Sequence, residues 1–285
     1  MQPELIADYA CVTGEGPLWH EAHGCLYWTD IPAGRMFRYD PDARAHEQIY
    51  DGPPVGGFTI QADESLLLFG ERGAIFIWRD GHVEPFINEI EEMRDTRFND
   101  VIADPDGRVY CGTMPSAERP GRLYLLHRDG TLTTVLAETG ISNGMAFSLD
   151  LEHVFHTDSS AREINRYRVD RQSGALSDRT LFVKTPEGEG VPDGMTVDER
   201  GFVWSARWDG SALFRYAPDG RQIRRFPFPA RKVSSVKFGG HDYSHLYVTT
   251  AGGDNKREEG AGAGALFRLR TDARGRPEYL SRVGI

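Results

Sequence analysis

Residues 193–208 read DGMTVDERGFVWSARW, two short apolar runs joined by a turn. The runs MTV and FVWSA contain the β-branched and aromatic residues that favour strands, and DERG between them is a turn signal. An Asp-Gly pair ordinarily indicates a tight turn, but the turn of this hairpin is already supplied by DERG. Asp193 therefore precedes a strand for another reason, which the rest of the chain helps to identify.

The same pattern recurs along the chain: a polar or glycine-containing start, a short apolar strand, a turn, and a second strand with aromatic residues. The copies begin GEGPLWH (14–20), GGFTI (56–60), NDVIA (99–103), NGMAF (143–147), DGMTV (193–197) and SSVKF (234–238). Third strands such as SALFRY (211–216) follow. Four short strands per unit, at a spacing of about 41 to 50 residues, are typical of a β-propeller.

The repeat predicts an all-β fold, a six-bladed β-propeller whose four-stranded blades surround a central channel. We expect residues 1–285 to form a single propeller domain. A β-sandwich also has regular turn signals, but it would not repeat six such similar units. Residues 3–9 and 276–284 flank the repeats, and we expect one of these segments to supply the outer strand that closes the ring.

Composition limits the classes of function. A net charge of −10 argues against nucleic-acid binding, which needs a basic surface. No apolar stretch is long enough for a membrane span, and MQPELIADYA has neither the basic nor the apolar region of a signal peptide. The three cysteines include no CxxC pair and are interpreted as reduced thiols. We therefore expect a cytoplasmic protein, by default a monomer, with a small-molecule substrate.

Aligning the copies by their first strand explains Asp193. In a propeller this strand lines the channel, and the aligned positions are Glu15, Gly57, Asn99, Asn143, Asp193 and Ser235. Two carboxylates and two amides from different blades would converge at one mouth of the channel. Hard oxygen ligands of this kind suit a divalent cation. The alternatives are that each polar residue belongs to a structural turn or that the ring binds only water.

One other metal motif can be set aside. HEAH (20–23) is one residue shorter than the HExxH zinc motif and falls at a predicted hairpin turn rather than on a helix. There is also no G-x-S-x-G elbow of the kind that carries a nucleophilic serine.

Several blocks together resemble the SMP-30/gluconolactonase family, which includes regucalcin and sugar-acid lactonases. The blocks are GEGPLWH (14–20), RFND with DPDGRVYCGTM (97–114), SNGMAFS (142–148), PDGMTVD with GFVW (192–204) and VKFGG with YVTTA (236–251). They occur in order over essentially the whole chain. The resemblance implies a six-bladed propeller with one divalent cation that hydrolyses the lactones of sugar acids.

The resemblance also implies roles for individual residues. Glu15, Asn143 and Asp193 would be the metal ligands, and Asp193 would also act as the catalytic general base. Arg97 would bind substrate oxygens, while Asn99 would be either a metal ligand or a substrate contact. A glutamate soon after GTM contacts substrate in some members, and Glu118 is the nearest candidate. The metal is left open among Ca²⁺, Zn²⁺, Fe²⁺, Mn²⁺ and Mg²⁺.

The expected activity is hydrolysis of a cyclic carboxylic ester, such as gluconolactone, xylonolactone or arabinonolactone, to the aldonic acid. A metal at the carbonyl oxygen would stabilise the charge that develops as water attacks. Two alternatives remain at this stage. One is a related hydrolase acting on phosphotriesters or other lactones, and the other is a non-catalytic calcium-binding propeller.

Overall fold

The computed structural model describes residues 2–285 and consists of six four-stranded antiparallel sheets. The innermost strands of successive sheets contact one another in sequence, and the sixth contacts the first. The prediction of an all-β, six-bladed propeller is therefore confirmed.

The first strand of the chain, β1 (Glu4–Asp8), belongs to the last blade, and the other strands follow in chain order. Blades 1 to 3 are β2–β5 (Gly14–His20, Cys25–Asp30, Arg35–Asp40, Ala45–Asp51), β6–β9 (Val55–Ile60, Leu66–Gly70, Ile75–Arg79, His82–Ile87) and β10–β13 (Phe98–Ala103, Val109–Thr113, Gly121–Leu126, Leu132–Thr139). Blades 4 and 5 are β14–β17 (Ser142–Phe147, His153–Asp158, Glu163–Val169, Leu176–Lys184) and β18–β21 (Val191–Val197, Val203–Trp208, Ala212–Tyr216, Gln222–Pro227). Blade 6 is β22–β24 (Lys232–Gly239, His245–Ala251, Ala265–Arg270) with β1 as its outer strand.

In the part of the chain that the structure describes, helical structure is confined to short connections. Two 3₁₀ turns cover Glu91–Met93 and Gly253–Asn255, and one α-helix, α1, covers Lys256–Glu259. Within residues 2–285, no helix combines the length and apolarity that crossing a membrane requires.

The N-terminal flanking segment closes the ring. Strand β1 pairs antiparallel with β24, so the first residues of the chain complete the sheet formed by its last strands. The C-terminal flanking segment forms no strand. It runs across the opposite end of the propeller from the site described below, where the backbone of Ser281 bonds that of Ile60 and the backbone of Arg282 bonds that of Gly107.

The Asp-Gly and Asn-Gly pairs of the inner strands are packing features rather than turns. A Cβ added at Gly194 would lie 2.1 Å from Ser235 Oγ in the next blade, and one at Gly144 would lie 2.5 Å from the backbone nitrogen of Met195. Real Cβ contacts are never that short, so each glycine lets two inner strands approach closely. All six inner strands also have a register shift at this level. Such bulges commonly redirect side chains beside active sites.

Candidate active site at one mouth of the channel

The four predicted oxygen-bearing side chains line one cavity. Glu15, Asn99 and Asn143 are each the second residue of an inner strand, and Asp193 is the third residue of another. All four side chains are buried, and they share a cavity of about 260 Å³ with Arg97 and Ser159. This volume lies just below the roughly 300–1,000 Å³ of pockets for drug-sized ligands, so it suits a single small ring.

A hydrogen-bonded chain connects the polar residues of this cavity. Arg97 Nη1 donates to Asn99 Oδ1 at 2.7 Å, and Asn99 Nδ2 donates to Asn143 Oδ1 at 2.9 Å. Asn143 Nδ2 in turn donates to Ser159 Oγ at 2.9 Å, and that hydroxyl donates to the carbonyl of Pro192 at 2.6 Å. Three blades are thereby joined through side chains at the cavity wall. The oxygens of Asn99 and Asn143 each accept one hydrogen bond in this chain, so each keeps a second lone pair for a cation or a substrate hydroxyl.

The surroundings of Glu15 and Asp193 disfavour the ionised form of both carboxyl groups. Burial raises the pKa of Glu15 well above its ordinary value, and the charges of Asp193 and Asp100 raise it further. Burial and the charge of Asp100 likewise raise the pKa of Asp193, while Arg207 and Arg97 act in the opposite direction. Two carboxylates in one buried cavity, with so little compensating charge, would be stabilised by a cation.

The donor set fits a divalent cation. Asp193 Oδ1 is buried and has no hydrogen-bond partner, which is an unusual state for a carboxylate oxygen. Glu15 Oε2 accepts a hydrogen bond from the backbone nitrogen of Gly16 at 3.0 Å, which fixes that side chain. Carboxylate and amide oxygens on separate rigid strands are the ligands that Ca²⁺, Mg²⁺ and Mn²⁺ prefer. Glu15, Asn143 and Asp193 could therefore hold one such ion.

Arg97 is the cationic group of the cavity. Burial lowers its pKa, whereas the charges of Glu15, Asp100 and Asp193 raise it. Besides Asn99, its Nη1 bonds the carbonyl of Phe98 at 2.8 Å. The guanidinium is thus fixed beside the carboxylates and faces the space where a ligand would lie.

The structure does not bring Glu118 into this group. Glu118 is exposed in the loop between β11 and β12, and it is not among the residues that line the cavity. The loop does lie on the same face of the propeller, because Met114 at its start lines the cavity and bonds Arg97 through the backbone. Its role as a substrate contact stays a prediction.

Two functional candidates were missed from the sequence. Ser159 follows β15 and so lies outside the inner-strand alignment that identified the other residues. Asp100 lies beside Asn99 and lines a small cavity deeper in the channel with Ser235 and Lys237. Burial raises the pKa of Asp100 to about 6, although Lys237 and Arg97 oppose the shift. The only sequence signal for Asp100 was its place in RFND.

A second group of possible metal ligands lies in blade 4, at the end of the blade opposite Asn143. Asp150, Glu152 and His153 are close together at the turn after β14. Asp150 Oδ1 already accepts from Ser148 Oγ at 2.6 Å and from the backbone nitrogen of Glu152 at 3.0 Å. Since Asp150 and Glu152 are exposed, this group is a hydrogen-bonded turn.

Comparisons with known proteins agree with this geometry. The family described as "SMP-30/Gluconolactonase/LRE-like region" matches residues 13–252. The pentonolactonase XacC of Haloferax volcanii is 49% identical over 98% of this chain and 97% of its own length. Regucalcin of Xenopus laevis is 32% identical over 87% of this chain and 86% of its own.

The same fold occurs in solved structures. A calcium-binding regucalcin from Agrobacterium tumefaciens superposes with a TM-score of 0.90, covers 99% of this chain and 98% of its own, and is 24% identical. At that identity the likeness supports the fold alone.

Proposed function

Because the chain belongs to the SMP-30/gluconolactonase family, we propose that it hydrolyses the lactone of a sugar acid to the open-chain acid, at a site that binds one divalent cation. The single observation that carries the proposal is the cavity in which Glu15, Asn143 and Asp193 converge beside Arg97. Gluconolactone, xylonolactone and arabinonolactone are the expected substrates. The 49% identity to a pentonolactonase favours the five-carbon lactones among them.

Glu15, Asn143 and Asp193 would hold the cation. When bound, the cation supplies Lewis acidity that stabilises negative charge on the lactone carbonyl oxygen. Arg97 and Asn99 would orient the ring by binding its hydroxyl oxygens, which contributes to rate by positioning. Asp193 would also accept a proton from the attacking water.

The proposed reaction is balanced by one water molecule. The water oxygen bonds to the acyl carbon, and the bond from that carbon to the ring oxygen breaks. The ring oxygen takes up a proton and becomes the hydroxyl of the aldonic acid. The new carboxyl group is ionised at neutral pH, so each turnover releases one proton.

Proton release from a panel of aldonolactones tests the proposal. Metal-stripped protein would be assayed alone and after refilling with Ca²⁺, Mg²⁺, Mn²⁺, Zn²⁺ or Fe²⁺, with spontaneous opening subtracted. We expect metal-dependent turnover that is lost in Asp193→Ala and retained in Asp150→Ala, which changes an exposed carboxylate in the turn after β14, at the end of blade 4 opposite the site. Metal binding without hydrolysis of any lactone would contradict the proposal and leave a cation-binding propeller.

Cytoplasmic location is a proposal that rests on composition, and a monomer is the default expectation. Size-exclusion chromatography with light scattering would test the second.

A further inference from the structure

The cavity has two tiers with different chemistry. Its floor is formed by Glu15, Asn99, Asn143 and Asp193. Residues two positions earlier on the same segments lie nearer the mouth, because alternate residues of a strand face the same side. These positions are Thr13, Arg97, Ile141 and Val191, and all four line the cavity.

The upper tier is mainly apolar. Besides Ile141 and Val191, the cavity is lined by Ile31, Met114 and Trp208, which come from the ends of second strands or the residues just after them. We call Ile31, Met114, Ile141, Val191 and Trp208 the apolar collar. Its members come from blades 1, 3, 4 and 5, so the collar surrounds the entrance rather than covering one side.

Hydrogen-bonding capacity toward a ligand is scarce above the floor. Arg97 Nη1 is already committed to Asn99 and Phe98. Glu118, the other group expected to bind hydroxyls, is exposed and outside the lining. The polar side-chain groups left at this level are the Thr13 hydroxyl, the remaining nitrogens of Arg97, the indole N–H of Trp208 and the Ser159 hydroxyl, which already bonds Asn143 and Pro192. A ligand hydroxyl pressed against the aliphatic members of the collar, Ile31, Met114, Ile141 and Val191, would lose its hydrogen bonds to water without replacement.

We infer that the site also hydrolyses γ-lactones that carry a short alkyl group on the ring carbon bonded to the ring oxygen. This inference rests on the proposed lactonase function and extends its substrate class. The acyl end of the ring faces the polar floor, and the substituent on the far carbon points out into the apolar collar. That substituent is hydroxylated in sugar lactones, but the aliphatic side chains of the collar offer the hydroxyl no hydrogen-bond partner.

The reaction is the same ester hydrolysis. Water adds to the acyl carbon, the bond between that carbon and the ring oxygen breaks, and the ring oxygen takes a proton. The products are a 4-hydroxyalkanoate and one released proton, so no further reactant is needed. Only the group that contacts the collar differs from the sugar substrates.

A series of γ-lactones with longer alkyl groups measures how contact with the collar changes kcat/KM. The metal-loaded protein would be assayed with γ-butyrolactone, γ-valerolactone and γ-hexalactone, which bear hydrogen, methyl and ethyl at that carbon, and with a pentonolactone in parallel. We expect kcat/KM to rise about two- to four-fold per added carbon, because burying one methylene contributes up to about a factor of four.

Two variants test whether the collar causes the rise in kcat/KM per added carbon. Val191→Thr keeps the side-chain shape but places a hydroxyl in the collar, so the gain in kcat/KM per added carbon is expected to fall toward one. Val83→Thr, at an exposed position on β9, is expected to match the wild type.

The outcomes separate the two proposals. Turnover of the pentonolactone with a flat or falling alkyl series would overturn the collar inference and leave the lactonase function intact. An alkyl gain that Val191→Thr does not reduce would also overturn it. Failure to open any lactone, the pentonolactone included, would overturn the lactonase function and the inference with it.

Discussion

At the scale of single residues, the site depends on a serine that no motif identifies. Ser159 is 5% exposed and joins blades 4 and 5 by accepting from Asn143 and donating to Pro192. It thereby fixes which way the Asn143 amide points, and with it the oxygen that would bind the cation. Groups that orient metal ligands in this way typically matter about 10- to 100-fold for affinity or activity.

Replacing Ser159 by alanine tests this positioning role. We predict that Ser159→Ala lowers metal affinity and kcat/KM about 10-fold or more, with a small change in thermal unfolding. Metal affinity would be measured by calorimetric titration and activity by proton release. Ser177→Ala, on an exposed outer strand, is the control. Equal metal affinity in the two variants would show that Ser159 is not needed to orient Asn143.

Because the pKa of Asp100 is raised, we predict that the stability of the metal-free protein depends on pH. Burial raises its pKa from 3.8 to about 6 in the folded state. Between those two values the folded protein holds a proton that the unfolded chain has released, so stability falls as pH rises from about 4 to about 6. A shift of about two units corresponds to at most about 3 kcal/mol. The charged groups near Asp100 are Glu15, Asp193, Arg97 and Lys237.

Urea unfolding of the metal-free protein and of Asp100→Asn measures this effect. The variant cannot titrate at that position, so its stability relative to the wild type should rise between pH 4 and pH 6 and level off above. Parallel stability curves across this range would mean that Asp100 has an ordinary pKa in the folded protein.

At the scale of elements, the sequence predicted the strands well because each blade repeats one pattern of apolar runs and turns. It also predicted that Glu15, Asn99, Asn143 and Asp193 come together, since equivalent positions of equivalent strands must meet at the channel. Ser159 was missed because it follows the second strand of blade 4, whereas only first-strand positions were aligned. Asp100 was missed because the aligned residues of the other blades are glycine or apolar. Glu118 lies in the loop between β11 and β12, and the repeat pattern does not predict the length or path of that loop.

Strand β1 offers a test of ring closure. Ala7 is 2% exposed and pairs with Leu266, whereas Leu5 on the same strand is 50% exposed. We predict that Ala7→Asp destabilises the fold by about 2–4 kcal/mol, because it buries a carboxylate without a partner. Leu5→Ser should be nearly neutral. Equal unfolding midpoints for the two variants in a thermal melt would argue that β1 contributes little to closure.

At the scale of the whole molecule, the C-terminal segment (residues 276–284) contacts several blades and stabilises the closed ring in addition to β1. Glu278 pairs with Lys237 of blade 6 at 3.0 Å, and Ser281 Oγ bonds Thr59 Oγ1 of blade 2 at 2.8 Å. Val283 is fully buried among apolar residues of blades 2 and 3. The segment therefore crosses the end of the propeller opposite the site. These contacts support the proposal that residues 1–285 form one domain.

Truncating the buried side chain of this segment should weaken the whole ring. We predict that Val283→Ala costs about 2 kcal/mol of unfolding free energy, since it removes two buried carbons and leaves a cavity. Ile285→Ala is the control, because Ile285 is 51% exposed. A cooperative urea transition gives both values, and a Val283→Ala midpoint equal to that of the control would mean that the segment is not anchored by this residue.

The central claim is that one cation, held by Glu15, Asn143 and Asp193, is required to open a sugar lactone. The most direct measurement is a titration of metal-stripped protein with Mn²⁺ while hydrolysis of a pentonolactone is followed in the same sample. The account predicts no turnover at the start, a rise that ends at one equivalent, and a flat response in Glu15→Gln. Full turnover by the metal-stripped protein, or an unchanged titration in Glu15→Gln, would contradict it.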